Sequence, residues 1–299
     1  MKPLITAKHV NLSQHLKNLL ALAKIRITSA VVFTTTIGYC LATKQFQLPL
    51  LNIILGTFLL ACGSAAFNHF QDRKIDAKMN RTKQRPLPSN ALTAKQVLWI
   101  ALAWILLGSL TLYWQAGTLP TLLGLIAVLW YNGVYTPLKR KTPWAVIPGA
   151  LIGSLPPYIG WTAGGGNLLA PPIFAFALFM FIWQIPHFWL LLLTYGKEYE
   201  KAQLPSLTTL YSSQQIAYLT FILIWILVSS NYLLIQMNTL RSIPSILLLI
   251  PLNLYLLLVS KNILQDQSPT TAKRIFQHIN TYALAIFLLI LWETFYLPN

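Results

Sequence analysis

Acidic residues are scarce in this 299-residue chain, with 6 Asp and Glu against 22 Lys and Arg. Three hard oxygen donors nevertheless fall in register: Asn68, Asp72 and Asp76, at i, i+4 and i+8. On a helix that spacing lays them along one face, successive members roughly 6 Å apart. Such a row at a helix end suits Mg²⁺, which takes one or two carboxylates and completes its shell with water and phosphate oxygens. Arg81 and Arg85 follow, again four apart, and an Arg fork pairs well with phosphate. Carboxylates for a metal beside guanidinium groups for an anion together suggest a diphosphate ligand. The plainer reading is a basic loop whose carboxylates are salt-bridged to their neighbours, and Arg73, Lys74, Lys78 and Lys83 are assigned to it singly. The Asn68–Asp72–Asp76 face is not, because ionisable groups at a membrane are costly and usually placed for use.

Two further clusters carry chemistry. Tyr135-Thr-Pro-Leu-Lys139-Arg140-Lys141-Thr142 is by itself a basic loop, but facing the first cluster across a bundle, Lys139 and Arg140 could hold the far side of a diphosphate. Trp183-Gln-Ile-Pro186-His187-Phe188 sets a histidine just after a proline that frees a backbone carbonyl. His187 has two readings at this stage, a hydrogen bond to a neighbouring helix or a ligand and proton-transfer role. Glu198 and Glu200 are two apart and do not share a helix face, so at most one of them reaches a common site. Cys40 and Cys62 lie in apolar stretches without metal-ligand spacing and read as small core residues.

The elements that position these groups follow from composition. The chain is 56% hydrophobic and 9% charged, where soluble domains are about a quarter charged, which leaves too little polar surface for a water-soluble globule. The net charge of +16 would suggest nucleic acid on a compact polar face; in so apolar a chain it reads as basic loops on one side of a membrane, and no nucleic-acid partner is expected. A helical span needs about 20 apolar residues. The charge-free stretches 27–43, 45–71, 202–240, 242–260 and 275–292 supply one span each. The longer stretches 96–138 and 142–196 supply two each, broken at Gln115-Ala-Gly-Thr and at Thr162-Ala-Gly-Gly-Gly-Asn167. The expected fold is therefore all-α, a polytopic bundle of nine transmembrane helices forming one domain over 1–299. With nine spans, 20 of the 22 basic residues fall on one face, leaving Lys44 and Arg241 on the other. By the positive-inside rule the N-terminus is cytoplasmic and the C-terminus periplasmic. Within the cytoplasmic segment 1–26, Leu12, Leu16, Leu19 and Leu20 recur at helical spacing among lysines from His9 to Ile27, as in a helix lying on the membrane surface.

These clusters, in this order, resemble the UbiA-type intramembrane prenyltransferases, and most closely their haem-modifying branch. The resemblance is carried by Asn68-His-Phe-Gln-Asp72-Arg-Lys-Ile-Asp76-Ala-Lys-Met79-Asn-Arg81-Thr82-Lys-Gln-Arg85-Pro86, by Tyr135 to Thr142, and by Gly149-Ala-x-x-Gly-x-x-Pro156-Pro-x-x-Gly160-Trp161. Pro186-His187-Phe188 and Glu198-Tyr199-x-x-Ala202-x-x-Pro205 continue it, over roughly residues 20–295. It implies farnesyl diphosphate and haem B as substrates in a bacterial inner membrane, and Mg²⁺ on Asn68, Asp72 and Asp76. Arg81, Arg85, Lys139 and Arg140 would lie on the diphosphate, His187 near the haem, and Glu198 in the site. Two departures stand out. Lys74 occupies a place where haem-branch members often carry a further Asp, and the second Asp-x-x-x-Asp motif of quinone-type relatives is replaced by Lys197-Glu-Tyr-Glu. Other acceptors, such as a quinone precursor or a chlorophyllide, are the runner-up. A secondary transporter fits less well, because its charges would sit near the bilayer midplane in repeated halves. A non-catalytic assembly subunit leaves the Asn-Asp-Asp face unexplained, and partners such as a haem A synthase or oxidase assembly factors are not legible.

Overall fold

The computed structural model describes residues 12–296, and every element among them is helical. The first eleven residues, which include Lys2, Lys8 and His9, lie outside the described part; from Leu12 on the segment expected as a surface helix is helical. Helix α1 (Leu12–Ala23) exposes Leu16 and Leu20 and buries Leu22 against Ala66, Leu87, Val97 and Ala101. It ends at Lys24, whose left-handed backbone (φ 49°) turns the chain into α2 (Ile25–Thr43). The remaining helices are α3 (Pro49–Asp76), α4 (Ala94–Ala116), α5 (Thr118–Leu129), the short α6 (Thr136–Leu138), α7 (Val146–Ala163), α8 (Pro171–Lys201), α9 (Ser213–Gln236), α10 (Ile243–Ser260), the short α11 (Asn262–Gln265) and α12 (Pro269–Tyr296).

Eight helices, with α5–α6 and α10–α11 each counted as one, are long and apolar enough to cross a membrane. The place of the ninth expected span is taken by α7, 18 charge-free residues whose Gly149, Gly153, Gly160, Pro148, Pro156 and Pro157 make it less apolar than the others. The expected loops fall where turn chemistry puts them: Gly117 (φ 85°) separates α4 from α5, and 164–170 separates α7 from α8. Capping boxes at Thr93/Gln96 and Ser212/Gln215 start α4 and α9.

With no hydrophobic drive between helices in lipid, close backbone approach decides how they associate. A Cβ at Gly38 would lie 2.0 Å from the Pro157 carbonyl oxygen, and one at Gly160 would lie 1.8 Å from that of Thr35, so α2 and α7 can meet only through these glycines. Between α5 and α6 the helix widens into a π-helical turn, Trp130–Tyr135. Such turns re-aim side chains and recur at functional sites; this one brings Asn132 and Thr136 against α3, where they hydrogen-bond to Ser64, Gln71 and Asn68, and Tyr131 and Tyr135 toward Lys24 and Gly149.

Candidate active site

The last turns of α3 carry the expected face. Asn68, Asp72 and Asp76 are each at most 5% exposed, and every oxygen they offer is engaged by a cation or an amide. Asn68 Nδ2 donates to Asp72 Oδ2 (2.9 Å) and to Thr136 Oγ1 (3.1 Å). Asp72 also accepts from Lys139 Nζ and from Arg140 Nη2, the latter at 2.9 Å, while Arg140 donates in addition to the Gln71 carbonyl. Asp76 takes Arg85 Nη1 on both oxygens at 2.9 Å. The second cluster thus closes over the first, as its charges suggested.

Arg81 and Arg85 do not share a face. The chain leaves helix at Asp76 and runs through successive turns to Thr93, with Thr82 Oγ1 donating to the Asp76 carbonyl and Asn90 left-handed at φ 58°. Arg85 therefore returns to Asp76, whereas Arg81 reaches over the Tyr195 ring of α8, 5.7 Å from its centroid.

One residue at the centre was not expected. Lys24 Nζ donates to Asn68 Oδ1 at 2.7 Å and to the Tyr131 hydroxyl at 3.4 Å. Burial, followed by the nearby charges of Arg85 and Lys139, depresses its pKa to about 7, although Asp72 and Asp76 pull the other way. In the sequence Lys24 is one of many lysines of a basic segment; only its packing distinguishes it.

Beneath this cluster opens an apolar tunnel of about 280 Å³ running between α2, α3, α5, α7 and α8. Lys24, Tyr131 and Tyr135 stand at its mouth, the two tyrosine rings stacked at 5.7 Å, and Leu60, Gly124 and Ile159 line it farther in. A smaller cavity of about 100 Å³ lies beside it, between Lys139, Trp189, Tyr199 and Leu207; Tyr135 and Phe188 line both. A charged head group fits the cluster and an apolar tail the tunnel, the arrangement that breaking an allylic ester needs.

Comparison with known proteins agrees. The sequence profile of the UbiA prenyltransferase family matches residues 31–292. This chain belongs to the UbiA prenyltransferase family. It is 36% identical over 170 residues to the Protoheme IX farnesyltransferase of Oleidesulfovibrio alaskensis, covering 57% of this chain and 60% of that protein. To the protein of the same name in Geobacter sulfurreducens it is 40% identical over 171 residues, 57% and 63% of the two chains. The matched segment thus spans less than two thirds of these relatives. The fold is similar to a solved UbiA homolog from Archaeoglobus fulgidus bound to DMAPP and Mg²⁺, with a TM-score of 0.71 at 18% identity over 94% and 100% of the two chains. It is also similar to a structure described under the biosynthesis of digeranylgeranylglyceryl phosphate synthase in membranes, with a TM-score of 0.77 at 16% identity over 94% and 99%. Eight helices long and apolar enough to cross a membrane, together with this family, make the protein an integral membrane protein.

The other expected site residues of this UbiA-family chain lie apart from the carboxylate face. His187 is engaged with α12: its Nδ1 pairs with Asn280 Oδ1 at 2.8 Å, and its ring lies 4.7 Å from Trp183 and 4.6 Å from Phe276. It lines neither cavity. Glu198 is half-buried with Oε2 enclosed and unpartnered among the described residues, while Glu200 accepts from Thr208 at 2.6 Å. Lys74 is exposed, off the face of Asp72 and Asp76. Among the described residues no three His, Cys, Asp or Glu side chains gather as a metal site, so a metal here would rest on the Asn-Asp-Asp oxygens alone.

Proposed function

We propose that this protein transfers a farnesyl group from farnesyl diphosphate to a vinyl group of haem B, with addition of water, to form haem O. The observation that carries the proposal is the cluster of Asn68, Asp72 and Asp76 with the more numerous cations Lys24, Arg85, Lys139 and Arg140, set at the mouth of an apolar tunnel. The farnesyltransferase relatives supply the acceptor.

The donor set of Asn68, Asp72 and Asp76 consists of hard oxygens, which suit Mg²⁺. When bound there, Mg²⁺ would supply positive charge to a departing diphosphate. In this structure the same oxygens hold cations, so carboxylates and cations are stored against one another. With substrate, Lys24, Arg85, Lys139 and Arg140 turn to the diphosphate oxygens, and the farnesyl tail fills the tunnel. Their interaction strengthens as charge builds on the leaving diphosphate, and that difference lowers the barrier. The stacked faces of Tyr131 and Tyr135 flank the developing allylic cation, which aromatic π-systems stabilise. The smaller cavity beside Tyr135 and Phe188 admits the vinyl edge of the acceptor. Arg81, His187 and Glu198 serve the acceptor side of the site: they sit on or against α8, away from the carboxylates.

The chemistry runs at the cytoplasmic end of one nine-span catalytic domain in a bacterial inner membrane, with the C-terminus periplasmic. A phosphatase reporter joined to the C-terminus is active in that topology and silent in the inverse one. The decisive experiment incubates purified protein with haem B, farnesyl diphosphate and Mg²⁺, and in parallel with 4-hydroxybenzoate, then weighs the extracted products. Haem O from the first supports the reading; prenylation of the phenol alone defeats it.

A further inference from the structure

Gln184 is a polar side chain in the tunnel wall that the transfer step does not use. It lies in α8 one turn before Phe188, is 8% exposed, and lines the tunnel. Its amide makes no hydrogen bond among the described residues. The residue is buried while its amide opens on the tunnel, so the partner that satisfies it is one the tunnel admits. Its place is built for it. A Cβ at Gly153 would lie 1.5 Å from Gln184 Nε2, and one turn earlier on α7 a Cβ at Gly149 would lie 2.7 Å from the Tyr135 ring. Two glycines on one helix face therefore admit Gln184 and Tyr135 to the wall together. Of the hydroxyls lining the tunnel, Thr28 donates to the Ile25 carbonyl and Ser64 to Asn132, while Thr57 Oγ1 has no partner among the described residues. Phe188 and Tyr135 separate the tunnel from the smaller cavity, and Gln184, on the Phe188 face of α8, stands beside that partition.

We infer that Gln184 holds the water molecule that adds to the acceptor, and so makes the product an alcohol. The inference rests on the haem-vinyl reading above. The C1–O bond of farnesyl diphosphate breaks, its electron pair leaving with diphosphate. The terminal vinyl carbon bonds to C1, and the positive charge passes to the inner vinyl carbon beside the porphyrin ring. The Gln184 carbonyl oxygen accepts one hydrogen of the water, which leaves a water lone pair free for that carbon. The C–O bond forms, and the proton released goes to the departed diphosphate. An amide suits the task because it orients water without being basic enough to deprotonate the cation. A cation without ordered water instead loses a proton and gives the alkene, lighter by one water. Gln184 is thus a positioning residue, and it governs which product forms.

The test uses the full-length protein in lipid nanodiscs with haem B, farnesyl diphosphate and Mg²⁺ in ¹⁸O-labelled water, comparing wild type, Gln184→Met and Gln184→Asn by mass analysis of the extracted haems. Wild type gives labelled haem O. Gln184→Met shifts the ratio of alkene to alcohol by about tenfold or more, the scale of one lost buried hydrogen bond. Gln184→Asn, whose amide is withdrawn by one methylene, falls between them. Because the readout is a ratio, it does not depend on how much variant folds, and the gentler Asn change keeps the test open if the Met variant is not recovered. A wild-type ratio from whichever variants turn over overturns the inference, as does a variant that binds farnesyl diphosphate yet makes neither product. Wild type that prenylates no haem at all overturns the haem reading and this inference with it.

Discussion

Two buried carboxylate sites sit at opposite ends of α2, and they are satisfied in opposite ways. Near the end of α2, Glu293 of α12 is 2% exposed and accepts from the backbone N–H groups of Arg241 (2.9 Å) and Ser242 (2.8 Å) and from the Ser242 and Ser245 hydroxyls. It caps the N-terminus of α10, whose unpaired N–H groups and dipole favour an anion. At the start of α2, Asp72 and Asp76 are as well buried but are held by the long side chains of Lys139, Arg140 and Arg85. Backbone and short hydroxyl donors cannot leave, so Glu293 is a rivet between α10 and α12. Lysine and arginine side chains can swing away, so the Asp72–Asp76 end is an exchangeable store of charge. Buried acids are thus told apart by the mobility of their partners rather than by depth.

The comparison can be broken by substitution. Asp72→Asn and Asp76→Asn should each cost about 10²–10³-fold or more in turnover, the scale of losing a preorganised electrostatic group, while the protein stays inserted and monodisperse in detergent. Near-normal haem O formation by either purified variant would remove the metal assignment. Glu293→Ala should do the reverse, lowering stability by about 1–3 kcal/mol through the donors it strands and leaving turnover per folded molecule intact; thermal unfolding and specific activity measured together separate the two. Lys24→Met should raise KM for farnesyl diphosphate about tenfold, as expected for one charge-assisted contact worth ~1.5 kcal/mol. Lys24 also sets a pH signature. Its pKa in the free protein is near 7 and a bound diphosphate raises it, so binding takes up a proton above pH 7 and affinity weakens as pH rises from there. Titration of farnesyl diphosphate binding from pH 6 to 9 should show that slope in wild type and a flatter one in the Met variant. The smallest effect belongs to Lys74→Asp, an exposed change off the carboxylate face, which should alter activity by no more than about twofold, within the ~0.5 kcal/mol of ordinary surface substitutions.

Much of this architecture was legible before any coordinates. A backbone in lipid must satisfy its own hydrogen bonds, so charge-free length becomes helix, and the stretches bounded by charges reappear as the long helices. The one-face row Asn68, Asp72 and Asp76 was equally readable, because helical spacing needs nothing beyond the helix. The same spacing at Arg81 and Arg85 gives no shared face: the rule holds only inside a helix, and the helix ends at Asp76. His187 kept two readings in the sequence, and the fold sets it against Asn280.

Lys24 and Gln184 mark the boundary of what sequence can decide here. A lysine before a span has the same pattern whether it faces water or a buried carboxamide, and a glutamine within a span looks the same whether it meets a neighbouring helix or an open tunnel. Which of these holds depends on groups far along the chain, Asn68 for Lys24 and Gly153 for Gln184. Periodicity is a local property and was settled by the sequence alone. The pairing of charges across α2, α3 and the segment after α6, and the empty space beneath them, are properties of packing, and only the tertiary structure decided those.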